Sequence, residues 1–335
     1  MKERIREIDL MRGLAIIIMI TGHSILVHPI NFADIPWCNS LHNWIYSFHM
    51  ELFFLVSGCV YHCLNFQQYI GKKIDRILVP YFAVGLVTML MHVLGGDAVN
   101  KHFSLAYGLE KMVLYGGSYW FLYVLFLLYL VNPLIDRVLG GNRGRWSFVL
   151  LIILIRQFVK LPGLFCLNSI MYYLPYFMIG NLAMPLIRKR AILRRSGVNV
   201  LALVSGLALY LLLALTVGRT VEIFRYLIAF SMILVFYSVS LFLLSWEEKG
   251  SKLLKWINSL IELSSQYSLQ LYIFNGFVLV IMRVLLVNLL HITNPIIVIP
   301  AIVVGNLVIT LTLCKYVLSK TKWLAWLCGV GKRPF

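Results

Sequence analysis

One arginine and one histidine stand eleven residues apart in the first apolar run of the chain, in Asp9-x-x-Arg12-Gly13 and then Thr21-Gly22-His23-Ser24. At about 100° per residue, eleven helical steps leave a net rotation of about 20°, so both side chains project from one face, about 16 Å apart along the axis. Asp9 lies one turn before Arg12 on the same face. Ionisable groups at bilayer depth are costly, which makes them functional candidates by default. A histidine so placed can act as a general base and an arginine can hold a phosphate. Taken singly, Arg12 also fits a side chain snorkelling to the headgroups, and His23 a ring bonded to a neighbouring helix. Gly13 and Gly22 are small enough to let other helices approach closely.

A second run carries Ser47-Phe48-His49-Met50-Glu51-Leu52-Phe53-Phe54-Leu55-Val56-Ser57-Gly58. Ser47, Glu51, Phe54 and Gly58 recur at helical spacing on one face. If this helix runs antiparallel to the first, Glu51 reaches roughly the depth of His23. There it either orients the imidazole and stabilises its charged form, or sits protonated in a hydrogen bond. His49 points elsewhere. The following connection ends Lys72-Lys73-Ile74-Asp75-Arg76 before Pro80. Such a run is ordinary flanking charge, but it belongs to the membrane side of Arg12 and with it can form a cationic cradle for a phosphorylated ligand. Arg156, Arg225 and Arg283 fall in or beside other apolar runs, where they either line a polar outward cavity or snorkel.

The elements that must position these groups are membrane helices. Of the 335 residues 61% are apolar and 13% charged, far fewer charges than the roughly 25% of a water-facing domain. Alternating ten-residue β segments are absent, so the expected fold is all-α, a polytopic membrane protein of about ten helices. The expected spans are Ile8–Val27, Trp44–Cys63, Ile77–Leu94, Tyr119–Ile135, Trp146–Leu161, Ile170–Ile187, Val198–Val217, Ile223–Ser245, Tyr267–Leu290 and Pro295–Leu318. No small-residue cleavage site ends the first run, which reads as a retained helix. Short connections and the lack of repeats or linkers make residues 1–335 one domain. Between the spans, 22 lysines and arginines fall on one side, in the N-terminus, Lys72–Arg76, Arg137–Arg145, Arg188–Arg195, Lys249–Lys255 and the C-terminal cluster. The other side has four, Lys101, Lys111, Lys160 and Arg219. By the positive-inside rule both termini are cytoplasmic, in the plasma or inner membrane. The net charge of +17 is thus a topology signal and not a nucleic-acid footprint. Among six cysteines, no pair has zinc-ligand spacing with histidines, and no metal is expected. Cys38 and Cys166 both fall in outward connections, which leaves a disulfide between them open.

These residues resemble the acyltransferase 3 family of integral membrane acyltransferases. The resemblance runs from Asp9-x-x-Arg12-Gly13 and Gly22-His23 through Ser47–Gly58 and the basic stretch before Pro80 to Tyr119-Trp120-Phe121-Leu122. The Ser-Phe-His-Met-x-Leu-Phe-Phe wording is most similar to the branch related to fucose O-acetyltransferases. The resemblance implies transfer of an acyl group, usually acetyl, from cytoplasmic acyl-coenzyme A to a carbohydrate or its lipid-linked precursor. It places the family's arginine and histidine on Arg12 and His23, and its basic pair on Lys73 and Arg76, the first a lysine here instead of arginine. A Tyr-rich motif that ends in histidine in other members reads Tyr267-Ser268-Leu269-Gln270-Leu271-Tyr272-Ile273-Phe274-Asn275 in this chain, so Asn275 replaces a titratable group.

The expected mechanism follows from both readings. Arg12, Lys73 and Arg76 hold the coenzyme A phosphates, His23 is the general base, Glu51 supports it, and Asp9, Ser47, Trp120 and Asn275 contact substrate. Asp34, Trp37, His42 and Trp44 near the outer mouth either bind sugar or form an interfacial aromatic belt. The rival is a transporter or flippase, whose marks would be inverted repeats and broken helices in matching halves. No such symmetry is present, and the strongest polar set is crowded into the first three helices.

Overall fold

A computed structural model describes residues 5–26, 31–94, 104–189, 196–216 and 221–331. Lys2, Arg4, Lys101, Arg190, Arg194, Arg195, Arg219, Lys332 and Arg333, which enter the charge argument, lie outside the described residues, as do the ends of the first and seventh expected spans at Val27 and Val217. The helices in chain order are α1 Arg6–Ile25, α2 Pro36–Ile45, α3 His49–Cys59, α4 Phe66–Lys73, α5 Val79–Leu94, α6 Leu105–Tyr115, α7 Trp120–Leu139 and α8 Asn142–Ile155. They continue with α9 Leu167–Lys189, α10 Ser196–Thr216, α11 Glu222–Glu248, α12 Lys252–Gln266, α13 Ser268–Arg283, α14 Pro295–Tyr316 and α15 Lys322–Leu327. No strand occurs among the described residues, and the all-α polytopic architecture stands.

Eight helices among the described residues are long and apolar enough to cross a membrane, against about ten expected. Two expected spans account for the difference. The second, Trp44–Cys63, breaks at Tyr46–Phe48 into the end of α2 and an α3 of 11 residues. There the Ser47 hydroxyl donates to the Trp44 carbonyl at 2.6 Å, and the backbone tightens to i−3 bonds at Ser47 and Phe48, a side chain competing with the helical ladder. The fifth, Trp146–Leu161, is α8 of 14 residues. It tightens in the same way at Gln157 and Phe158 ahead of Pro162-Gly163, where proline has no N–H to give. Neither helix reaches the roughly 20 residues of a full span. Conversely, α4 and α5 are joined by a π-helical turn, Ile74–Leu78, into one run over Phe66–Leu94 of 29 residues.

The chain forms two compact units, one from the described residues of Met1–Cys59 and Ala183–Leu311, the other from those of Val60–Leu182 and Thr312–Phe335. The first unit is built around α1, which packs against α2, α3, α11, α12 and α13. Glycines set the closest approaches. A Cβ on Gly13 would fall inside the Ile261 carbonyl of α12, and one on Gly22 would stand 3.0 Å from the Ile45 and Tyr46 side chains. Both are small-residue contacts of the kind that hold membrane helices together. Arg6 ties the start of α1 to its neighbours, pairing with Glu262 at 2.8 Å and Glu247 at 2.9 Å. Asn258 adds a bond of 2.7 Å to the same Glu247.

The amphipathic α12, with Leu253 and Trp256 exposed and Ile261 buried, falls in a stretch that the span assignment left as a connection. In the second unit Asp136 of α7 pairs with Arg145 of α8 at 2.9 Å and accepts the Tyr61 hydroxyl at 2.9 Å. Arg145 also donates to Asn181 of α9 at 2.5 Å. All six cysteines are free thiols, with Cys38 and Cys166 each buried.

Candidate active site

On α1, Asp9, Arg12 and His23 remain partly accessible, while Leu10, Met11, Gly13, Gly22 and Ser24 beside them are buried. Apolar packing and the glycine contacts immobilise the helix, and these three polar groups keep part of their surface uncovered. Arg12 is close enough to Cys59, at the end of α3, for its charge to act on the thiol. At the opposite end, His23 meets Tyr46, just ahead of α3. The first and third helices therefore run antiparallel, which is the arrangement that the depth argument for Glu51 requires.

The hydrogen bond at the His23 ring goes to a phenol. The Tyr46 hydroxyl lies 3.2 Å from His23 Nδ1, and the two rings meet edge to face with centroids 5.9 Å apart. Tyr46 in turn stacks on His42 at 4.0 Å and meets His49 edge-on at 4.8 Å, so three imidazoles surround one tyrosine. His49 is buried with Nδ1 2.9 Å from the Ile45 carbonyl, which makes Nδ1 its protonated nitrogen. Burial lowers the pKa of His42, in the short α2, so it stacks as a neutral ring. The Tyr46 contact bears on base chemistry through the tautomer. If Nδ1–H of His23 donates to the phenol oxygen, Nε2 presents its lone pair and can take a proton. Tyr46→Phe keeps the stack on His42 and removes this hydrogen bond, whose net worth is about 0.5–1.5 kcal/mol. The expected result is a kcat about tenfold lower with the donor KM unchanged, read from initial rates over a range of donor concentrations.

Glu51 is buried on α3 among Leu52, Phe53, Phe54 and Leu55, on the helix whose start carries His49. At Nδ1 the His23 ring meets the Tyr46 hydroxyl, a partner that sequence reasoning did not name. Ser47 lies in the turn before α3 and not on its face, with its hydroxyl proton engaged by the Trp44 carbonyl. Asn275 of α13 is buried and donates to Met19 Sδ at 3.9 Å, one turn of α1 from His23. Its oxygen accepts from Asn306 Nδ2 at 2.9 Å, and Asn306 accepts from Thr310 at 3.3 Å. This buried polar chain leaves Asn275 held on both sides, a neutral amide well suited to a site where a second titratable group would be costly to bury.

Each of the three outer arginines has a partner of its own. Arg283 is fully buried and donates to the Ser24 carbonyl at 2.6 Å, with its guanidinium 5.4 Å from the Phe32 ring. It caps the C-terminal end of α1, where a cation meets unpaired carbonyls. Arg156 donates to Asn168 at 2.8 Å and lies 5.6 Å from the Tyr172 ring. Arg225 pairs with Glu222 of its own helix at 3.0 Å.

Lys73, Arg76 and Trp120 belong to the second unit. Lys73 opens the π-helical turn, a feature frequent at functional sites, and its ammonium sits 3.5 Å from the Tyr129 ring and 5.4 Å from that of Tyr69. Arg76, inside the same turn, is exposed. Asp75 between them accepts from the Trp326 indole at 3.1 Å. Trp120, the first residue of α7, stacks on Tyr173 at 5.7 Å. Among the described residues no three His, Cys, Asp or Glu side chains are grouped to hold a metal ion.

Sequence reasoning missed Tyr46, although it directly precedes the Ser47–Gly58 motif. It also missed Asn306 and Thr310, two polar residues at i, i+4 in the largely apolar last span.

The fold and this site define a polytopic α-helical membrane protein whose first helix carries partly accessible ionisable groups. The model of the acyltransferase 3 family, described as an acyltransferase domain, matches residues 5–315, and the chain belongs to that family. No curated protein and no solved structure matches the chain significantly.

Proposed function

We propose that the protein is an O-acetyltransferase of the cell membrane, moving acetyl from cytoplasmic acetyl-coenzyme A to a hydroxyl of a cell-surface carbohydrate or its lipid-linked precursor. The observation that carries this reading is His23, partly accessible and hydrogen-bonded through Nδ1 to Tyr46, on the same helix as Arg12. In the proposed step Nε2 of His23 takes the acceptor hydroxyl proton while that oxygen attacks the thioester carbonyl. The tetrahedral intermediate expels the coenzyme A thiolate, the C–S bond breaks, and the thiolate recovers the proton from the imidazolium. The ester product and free coenzyme A balance the reaction without a covalent acyl-histidine.

Arg12 is proposed as a contact for the donor phosphates at the cytoplasmic end of α1. The roughly 16 Å between Arg12 and His23 along the helix suits an extended pantetheine arm. Lys73 and Arg76 are proposed as phosphate contacts on their charge and their membrane side alone, with Lys73 making a point-charge contact where arginine would be bidentate. Asp9 and Asn275 on the first unit and Trp120 on the second are proposed to contact substrate. Glu51 is proposed to act on the site through α3 as a charge near the imidazole. The wording of the Ser47–Gly58 motif supports a fucose O-acetyltransferase-like branch, and the distribution of Lys and Arg supports cytoplasmic termini.

The test uses radiolabelled acetyl-coenzyme A with detergent-purified protein, wild type beside Arg12→Ala. The expected result is saturable binding by the wild type and about tenfold weaker binding by the variant, the loss of one charge-assisted contact. No binding by folded wild-type protein would overturn the donor assignment and turn attention to transport of an unmodified solute.

A further inference from the structure

The second unit holds a cavity of about 310 Å³, at the lower end of the roughly 300–1,000 Å³ range of small-molecule sites. It lies between α5, α6 and the turn Gly116–Tyr119 that leads into α7, and none of the residues discussed above as catalytic or donor-binding lines it. Its walls are tyrosines. Tyr81 and Tyr119 present their rings with their hydroxyls tied back, Tyr81 to the Met112 carbonyl and Tyr119 to Thr88 at 3.1 Å. Tyr107 and Tyr115 stand at the rim, where both are exposed.

Between the rim tyrosines sits Lys111, its ammonium 4.4 Å from the Tyr115 ring and 5.2 Å from that of Tyr107. No carboxylate among the described residues pairs with it, so its charge is balanced only by ring faces. Gly116 and Gly117 line the cavity with φ of 76° and 51°. At Gly116 a Cβ would come within 2.9 Å of Trp120 Cα, so a side chain there is excluded by both space and backbone conformation. The glycines thus fix the tight turn that closes this side of the cavity.

Rigid ring faces and a cation are the parts of a site for a hydroxylated ring bearing one anionic group. Tyrosine supplies broad amphipathic contact at low entropic cost, and the ammonium supplies a charge-assisted bond. An acyl chain would want an aliphatic groove, and the lining is instead rich in tyrosine and glycine. We propose that this cavity binds an acidic sugar unit, with its ring against the tyrosines and its anionic group on Lys111. The binding does not depend on the acetyltransferase reading.

The experiment titrates the detergent-purified full-length protein with methyl β-glucuronide, neutral methyl β-glucoside and glycerol 3-phosphate, followed by saturation-transfer NMR. The glucuronide is expected to bind about tenfold more tightly than the glucoside. Lys111→Gln should bring the glucuronide to the glucoside level, and Tyr115→Leu should weaken both sugars. His23→Ala should leave all three affinities unchanged, so a failure of the catalytic proposal is distinguishable from a failure of this one. Equal binding of the two sugars by the wild type, unchanged glucuronide binding in folded Lys111→Gln, or no sugar binding at all would overturn the proposal. So would displacement of the glucuronide by an equal concentration of glycerol 3-phosphate, which would make the cavity a lipid-headgroup site.

Discussion

His23→Ala should insert, fold and bind acetyl-coenzyme A as the wild type does, while its rate of acetyl transfer falls by about 10²–10⁴, the usual contribution of a positioned general base. His23 is partly accessible and makes one hydrogen bond among the described residues, to Tyr46, so the stability cost of removing it is small. The effect therefore separates chemistry from folding. It is read by following labelled acetyl from coenzyme A into envelope carbohydrate, beside size-exclusion profiles of both proteins. Transfer at the wild-type rate by the variant would sink the base assignment, whatever the family. A loss of donor binding in step with the rate would move His23 from catalysis to donor recognition.

Gly13→Ala should destabilise the protein by about 2 kcal/mol or more, at the upper end of the usual cost of overpacking, even though alanine is the better helix former by about 1 kcal/mol. The reason is what a methyl group would meet. At Gly13 it would overlap the Ile261 carbonyl, which is backbone and cannot swing aside. To relieve the overlap α12 must move off α1, straining the Arg6–Glu262 pair at 2.8 Å. Gly276 of α13 is the control, because a Cβ there meets nothing within 4 Å. Gly276→Ala should be neutral or slightly stabilising, since propensity acts there unopposed. Thermal unfolding of the two variants in the same detergent tests the pair. Equal midpoints would mean that the α1–α12 approach is loose, and the account of how α1 is held would fail.

Much of this architecture was open to reading from residues alone. Apolar runs and scarce charges state the helical membrane class, because only helices or closed barrels satisfy backbone groups in hydrocarbon. The Arg12–His23 spacing states a shared face, since rotation per residue is a local property. The small residues Gly13 and Gly22 announce close helix contacts and do make them. Helix count was harder. Trp44–Cys63 is apolar enough to cross, yet the Ser47 hydroxyl breaks it by bonding the Trp44 carbonyl, a local competition that hydropathy does not register. The amphipathic α12 was passed over because its stripe is too polar for a span.

The sequence by itself determined the helical membrane fold, the common face of Arg12 and His23, and the glycines at which α1 is closely approached. Only the tertiary structure decided which group meets the His23 ring, that Arg283 caps α1, and that Asn275 is held in a buried chain with Asn306 and Thr310. The division has a physical cause. Periodicity and composition act within one helix and are written in consecutive residues. The partner of a side chain is chosen when remote helices pack, and glutamate, tyrosine and asparagine at similar depths compete for the same polar atom until packing selects one.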